Sequence, residues 1–264
     1  MCTALISVDP GSSVPVLLLF ARDEMADRPW QLPGRHWPDC PSLVGGRDER
    51  GGGTWLAVRS ADDPAGPRVV CVLNGFGTHA DPEKRLTRGQ LPLLAASDTS
   101  ISTLDLPRYD PFHLLIGTRL GVSMLTWDGE TISDRELSPG THLVSNRGLE
   151  VEDDHLPIAP DLAVTLIEAR IKHFRPLLRH LPRPEPMPGN GFSTRQAWGA
   201  WMRLADGDGL DTSDVRALIG KHDWGEHGMW LTSSVSLVAV GSGGVRYDLN
   251  PNPGASEWFE VVAA

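Results

Sequence analysis

The chain opens with two apolar runs separated by four turn-forming residues, a pattern that leaves a β-hairpin as its natural fold. Ala4 to Val8 and Val14 to Phe20 are strand-like, and Asp9-Pro10-Gly11-Ser12 between them is dense in backbone-bending residues. Folding about Gly11 lays a residue near position 20 opposite Cys2, so that Arg22 and Asp23 emerge beside its thiol. Met1 precedes a small residue, the context in which an initiator methionine is trimmed, and trimming would make Cys2 the first residue. A freed α-amine, with a pKa of about 7.7–8.0, can serve as general base to that thiol. A neighbouring guanidinium stabilises thiolate, so Arg22 is expected to draw Cys2 below its ordinary value of about 8.5. Cys2 is thus a candidate nucleophile.

Composition narrows the classes of partner. A chain of 264 residues buries a substantial core, and 40% hydrophobic with 22% charged residues describes an ordinary globular protein. The net charge of -10 argues against nucleic acid or an anionic membrane surface as the main partner. No apolar run approaches a membrane span, and Val14 to Phe20 lacks the basic flank of a signal peptide. Cys2, Cys40 and Cys71 are an odd set without CxxC spacing, which fits a reducing cytoplasm better than a disulfide framework.

Further along, Asp27 to Pro41 reads as a proline-rich loop, and Gly45-Gly46 and Gly51-Gly52-Gly53 precede a strand beginning at Thr54. No helix follows those glycines, which excludes a dinucleotide turn; close backbone approach is the structural use expected of them. Arg68 to Leu73 is a strand ending at Asn74-Gly75, where the amide is either a turn residue or an oxyanion donor. Asp81-Pro82 carries the signature of a helix start. Phe112 to Ile116, Val122 to Trp127 and Thr131 to Leu137 form a meander, and Thr141 to Gly148 is a strand ending in a polar cluster at Ser145-Asn146.

Asp161 to Phe174 is the long helix, with Leu162, Leu166, Ala169 and Ile171 as its apolar stripe and Pro176 expected to stop or kink it. Pro182 to Asn190 is an exposed connector, and Ser193 to Leu204 and Thr212 to Ile219 read as short helices. Asp206 to Asp211 lacks the glycine position and distal glutamate of a calcium loop, and His222 to His227 is not HExxH. Trp230 to Val240, Val245 to Leu249 and Trp258 to Val262 close the chain as strands. Ten or eleven strands at both ends, with three or four helices between, indicate α+β with antiparallel sheets.

Met1-Cys2, Ala21-Arg22-Asp23-Glu24 with Arg28-Pro29, Gly52-Gly53-Thr54-Trp55-Leu56, Val72-Leu73-Asn74, Thr87-Arg88-Gly89 and Ser145-Asn146 occur in that order. Together they resemble the Asn-Arg-Asp-Glu (NRDE) family, also called the Transport and Golgi organisation protein 2 family. The resemblance covers the whole chain, so residues 1–264 are read as one domain. It implies the fold of the N-terminal nucleophile hydrolases, a four-layer αββα sandwich. The start is also similar to choloylglycine hydrolases and penicillin V acylases. That similarity makes Cys2 nucleophile and base, has Arg22 and Asp23 orient it, and makes Asn74 and Asn146 oxyanion or amine partners. The family's first motif position is Ala21 rather than asparagine, and Arg22 and Asp23 are adjacent where the amidases separate them, so only one is expected to point at Cys2.

Two functions follow as expectations. One is a cysteine amidohydrolase acting on a small amide, with no cofactor. The other, implied by the family resemblance, is haem binding or trafficking on the same fold without catalysis; the chain offers Cys40-Pro41 and scattered histidines for it.

Overall fold

Alternate side chains of the opening hairpin belong to two different cores. In β1 (Thr3–Val8), Ala4, Ile6 and Val8 face one apolar cluster while Leu5 faces another. In β2 (Val16–Met25), Val16, Leu18 and Phe20 join the first and Leu17, Leu19 and Ala21 the second. Apolar residues on both faces mark a strand covered on both sides, and a computed structural model shows what covers it. It describes residues 2–150, 162–254 and 257–261.

Of two antiparallel sheets, the second is formed in chain order by β3 (Trp30–Gly34), β4 (Leu43–Asp48), β5 (Leu56–Arg59), β6 (Arg68–Asn74), β7 (Phe112–Thr118), β8 (Gly121–Trp127) and β9 (Ile132–Glu136). The other contains β1 and β2 at its centre. On the β1 side lie β10 (Gly140–Ser145) and β11 (Gly148–Leu149). On the β2 side lie β13 (Met229–Gly241), β14 (Gly244–Asn250) and β15 (Phe259–Val261), with β12 (Lys221–Asp223) paired to the start of β13.

Between the sheets lies a core that includes Phe20, Leu56, Cys71, Leu115 and Tyr247. α1 (Leu91–Ala96) covers the outer face of the second sheet through Leu91 and Ala95. α2 (Leu162–His180), α3 (Thr194–Trp198) and α4 (Met202–Ala205) cover the outer face of the first, with Phe174, Trp198 and Trp201 buried against Leu19 and Leu237. The layers therefore run helix, sheet, sheet, helix, the expected αββα sandwich. No helix among the described residues is long and apolar enough to cross a membrane.

Several local expectations are corrected. Thr3 pairs with Ala21, which puts Arg22, not a residue near 20, opposite Cys2; the turn is wider than its four bending residues. The segment read as a loop from Asp27 contains β3, which tolerates Pro33 because it is a sheet edge with a register shift there. Gly45 and Gly46 lie inside β4 rather than before a strand. Asp81-Pro82 starts no helix: Asp81 accepts from Glu83 N–H at 3.0 Å, closing a turn, and the helix begins later with Pro92 in its first turn. Thr212 to Ile219 is likewise turns, because Asp211 and Asp214 carboxylates take the N–H groups of Ser213 and Arg216, both at 2.8 Å.

The buried residues of α2 are Val164, Leu166, Ile167, Arg170, Phe174 and Leu178, so Leu166 of the expected stripe is in place whereas Leu162 is exposed, and the helix continues through Pro176 to His180. The expected helix residue Asp161 and strand residue Val262 lie outside the described residues. Asp206 and Asp208, the false calcium loop, are engaged by Arg195 at 2.6 Å and by His173 at 2.7 Å.

The glycine run has the structural use expected of it. A Cβ on Gly53 would lie 2.2 Å from the Gly89 carbonyl oxygen, whose acceptance from Thr54 N–H at 2.8 Å joins β5's leading end to the Thr87–Gly89 turn. Gly53→Ala is therefore expected to destabilise by about 1–3 kcal/mol, the usual cost of overpacking. Gly11→Ala meets only Asp9 at 3.4 Å and serves as control. Chemical denaturation showing equal midpoints for both variants would refute this packing account.

Candidate functional site

Cys2 stands just before β1, in the middle of its sheet, with its side chain on the face between the sheets. The strand ends gathered there are the close of β2, the start of β13, the end of β6 and the turn between β10 and β11. They enclose two adjoining cavities. The larger, about 530 Å³, is lined by Cys2, Arg22, Asp23, Asn74, Trp55 and the Thr87–Gly89 turn among others. The smaller, about 280 Å³, is lined by Asp23, Asn74, Asn146, His222, Trp224 and Trp230 among others. Asp23, Asn74 and Trp230 belong to both. All five expected site residues thus meet at one end of the sandwich, with Asn146 on the smaller cavity rather than on the one Cys2 lines.

Arg22 and Asp23 part company as strand geometry requires. Arg22 faces the inter-sheet side, its guanidinium 4.1 Å above the Trp55 ring, 3.5 Å from Glu24 and 3.6 Å from Asp48. A Cβ on Gly46 would lie 2.5 Å from that ring, so glycine in β4 makes room for the indole. Asp23 turns to the helix side, where Arg170 of α2 pairs with it at 2.9 Å and Thr232 Oγ1 donates to it at 2.6 Å. Arg170 also donates to Thr3 Oγ1 at 2.8 Å and to the Ala217 carbonyl at 2.9 Å. Burial opposes ionisation of Asp23, but Arg170 and Thr232 hold its carboxyl below the ordinary range.

A β-bulge sharpens this arrangement. Thr232 pairs with Asp23 and Ser234 with Arg22, leaving Ser233 as the extra residue. Ser233 Oγ accepts from Arg22 Nη1 at 2.8 Å and lies 3.2 Å from the Arg22 carbonyl. The bulge thereby fixes the arginine that stands opposite Cys2.

The thiol itself departs from expectation. Its pKa is raised, not lowered: burial dominates and the Asp23 carboxylate adds to it, while the amino terminus and, more weakly, Arg22 oppose them. Arg22 spends its charge on Glu24 and Asp48, and the thiol lies 3.8 Å from the Asp23 carbonyl. In this chain, which carries Met1, Cys2 rests as a thiol. Cys71 is buried between the sheets and is pushed further up by the same cause. Cys40 packs beyond the second sheet against the α1 layer, with Ser97 Oγ 3.4 Å from its sulfur, and lines neither cavity.

The asparagines offer complementary groups. The side chain of Asn74, exposed at the end of β6, has no hydrogen-bond partner among the described residues. Asn146 is buried, and its Oδ1 is an acceptor without a donor among the described residues. Its carbonyl lies 3.2 Å from His113 Nε2, whose ring also meets Thr126 Oγ1 at 3.0 Å, so one imidazole links the second sheet to the Asn146 turn.

Sequence reasoning missed Arg170, Thr232, His113 and Trp230. Arg170 had a signal: it falls three residues after Ile167 and four before Phe174, on the helix face that is otherwise apolar. An arginine there must meet a carboxylate or carbonyl.

A cleft at one end of two stacked antiparallel sheets, opened where a central strand begins, makes this an α+β sandwich with its site at the inter-sheet edge. The chain belongs to the Transport and Golgi organisation 2 family, whose model matches residues 1–169. A search of curated proteins returns no match.

His113 gives the site a pH dependence. Burial lowers its pKa from 6.5 to about 4, so the folded protein refuses a proton that the unfolded chain accepts. The stability held by the neutral ring is complete above the unfolded value and lost as pH falls towards the folded one, a change of about 3 kcal/mol. Urea denaturation of wild type and His113→Gln from neutral pH down to about 4 is expected to show the steeper loss in wild type. Parallel curves would rule the linkage out.

Proposed function

We propose that this protein is a cysteine amidohydrolase of the N-terminal nucleophile type, acting on a small amide once Met1 is removed. The observation that carries the reading is the convergence of Cys2, Arg22, Asp23 and Asn74 on one cavity at the start of a central strand. A thiol buried in the cavity suits a mechanism in which a neutral thiol is paired with a neutral amine. The freed Cys2 amine takes the thiol proton as Sγ attacks the amide carbonyl carbon. The oxyanion accepts from the Asn74 side chain and neighbouring backbone N–H groups. The resulting ammonium protonates the leaving nitrogen, the C–N bond breaks, and a thioester remains on Cys2. Water, deprotonated by the same amine, then attacks the thioester and releases the acid.

Asp23 is one register step beyond Arg22 along β2, beside the amine that trimming would expose, and Arg170 keeps it ionised for that role. The orphaned Asn146 Oδ1 suits an N–H donor, either that amine or a substrate amide.

Intact mass should show Met1 removed, and an acyl adduct on Cys2 should accumulate with a panel of N-acyl p-nitroanilides. Cys2→Ala should abolish turnover, and Asn74→Ala should cost about 10²–10³ in kcat, the usual loss of one oxyanion donor. Retained Met1 in active protein, or turnover surviving Cys2→Ala, would overturn the reading.

A haem-carrying role is the second reading, and one observation favours it. His222 lines the smaller cavity beside Trp224, Trp230 and Leu231, and its pKa is lowered by burial and then by Arg170. The ring is thereby kept in the neutral form that ligates iron. Bound haem would supply the iron and its redox chemistry; His222 would supply the ligand nitrogen. Haemin titration should then give a saturable Soret shift that His222→Ala removes, and a non-saturating titration would dismiss this role.

A further inference from the structure

Four arginines and four carboxylates line the larger cavity, yet they do not pair off. Arg22 lies 3.5 Å from Glu24, Arg28 2.6 Å from Asp48, and Arg85 3.1 Å from Asp110. Asp23, the fourth carboxylate, is taken by Arg170, which is not among the cavity's lining residues. Arg88 is left over. Among the described residues it makes no ion pair, and its Nη1 donates to a neutral partner, the Pro111 carbonyl, at 2.8 Å. Its Nε and Nη2 have no hydrogen-bond partner there.

The backbone that carries this side chain is fixed on both sides. Gly89 C=O accepts from Thr54 N–H at 2.8 Å, and Gly89 N–H donates to Thr87 Oγ1 at 3.2 Å. A partly buried guanidinium without a direct ion pair is costly, and burial lowers the pKa of Arg88 against the more distant pull of Asp110, whose carboxylate is engaged by Arg85. The free edge has a definite chemistry. Nε–H and Nη2–H point the same way and form the fork that matches two carboxylate oxygens. With one cation unmatched, the cavity is complementary to a single negative charge rather than to a doubly charged phosphate.

We infer that Arg88 is the anion-binding residue of the Cys2 cavity, and that the amide acted on there carries one carboxylate held by the Nε–Nη2 edge. The word amide rests on the hydrolase reading; the anion site does not. Because the two cavities meet at Asn74 and Trp230, the uncharged part of the molecule extends towards Trp224 in the smaller one.

Calorimetric titration of the full chain carrying Cys2→Ala separates the two ideas, using N-phenylacetylglycine and its uncharged carboxamide, N-phenylacetylglycinamide. The acid is expected to bind about ten- to a hundredfold tighter than the carboxamide, the range of a charged bidentate contact. Adding Arg88→Gln should abolish that preference, with an unchanged circular dichroism spectrum and denaturation midpoint reporting an intact fold. Adding Arg88→Lys should restore part of it. Equal affinities, no binding of either probe, or a preference that survives Arg88→Gln would overturn the site. A preserved preference in a protein that hydrolyses no amide would sink the hydrolase reading and leave the anion site standing.

Discussion

The buried pair between Asp23 and Arg170 is the constraint on which the rest of the site depends. It joins the central strand β2 to α2, and the same guanidinium holds Thr3 on β1 and the Ala217 carbonyl leading into β12. Four segments far apart in sequence are thereby fixed around one charge. A buried pair of this kind adds little net stability compared with apolar packing, but losing one partner strands the other in a medium that cannot solvate it. Its contribution is positional: it sets α2 against the sheet and leaves the adjacent Arg22 on the opposite face.

Two consecutive residues therefore serve two compartments. Arg22 belongs to the cavity wall, stacked on Trp55 and pinned by the Ser233 bulge, while Asp23 belongs to the helix interface and shows its edge to both cavities. A regular strand pairing would have set Ser233, not Ser234, opposite Arg22. The extra residue is the one whose hydroxyl accepts from Arg22 Nη1. Local irregularity and site construction are here the same feature.

The hairpin was legible because two apolar runs flanking turn-forming residues are a local signal. Its register was not, since turn residues announce a bend without fixing how many residues it spans; Asp9 N–H reaches the Pro15 carbonyl at 2.8 Å, across the whole loop. The same limit explains the two false helices, where aspartates that usually begin helices instead close isolated turns. Arg22, Asp23, Asn74 and Asn146 were reachable through the order of motifs along the chain. The sign of the Cys2 shift was not, because it is set by how deeply the folded cavity buries the thiol, and Arg22, engaged with Glu24 and Asp48, offsets that burial only weakly.

That sign bears on how the cavity treats an anion. On the hydrolase reading, a thiolate at rest would place a negative charge in the compartment that Arg88 lines and would compete with a substrate carboxylate for the one unmatched cation. Burial and the Asp23 carboxylate keep Cys2 protonated, so Arg88 stays available. On that reading the proton leaves the thiol only when the carbonyl is attacked, and the charge passes to the oxyanion beside Asn74 rather than persisting on sulfur. On the hydrolase reading, a thiol whose pKa is raised and a guanidinium that makes no ion pair among the described residues are two halves of one electrostatic arrangement.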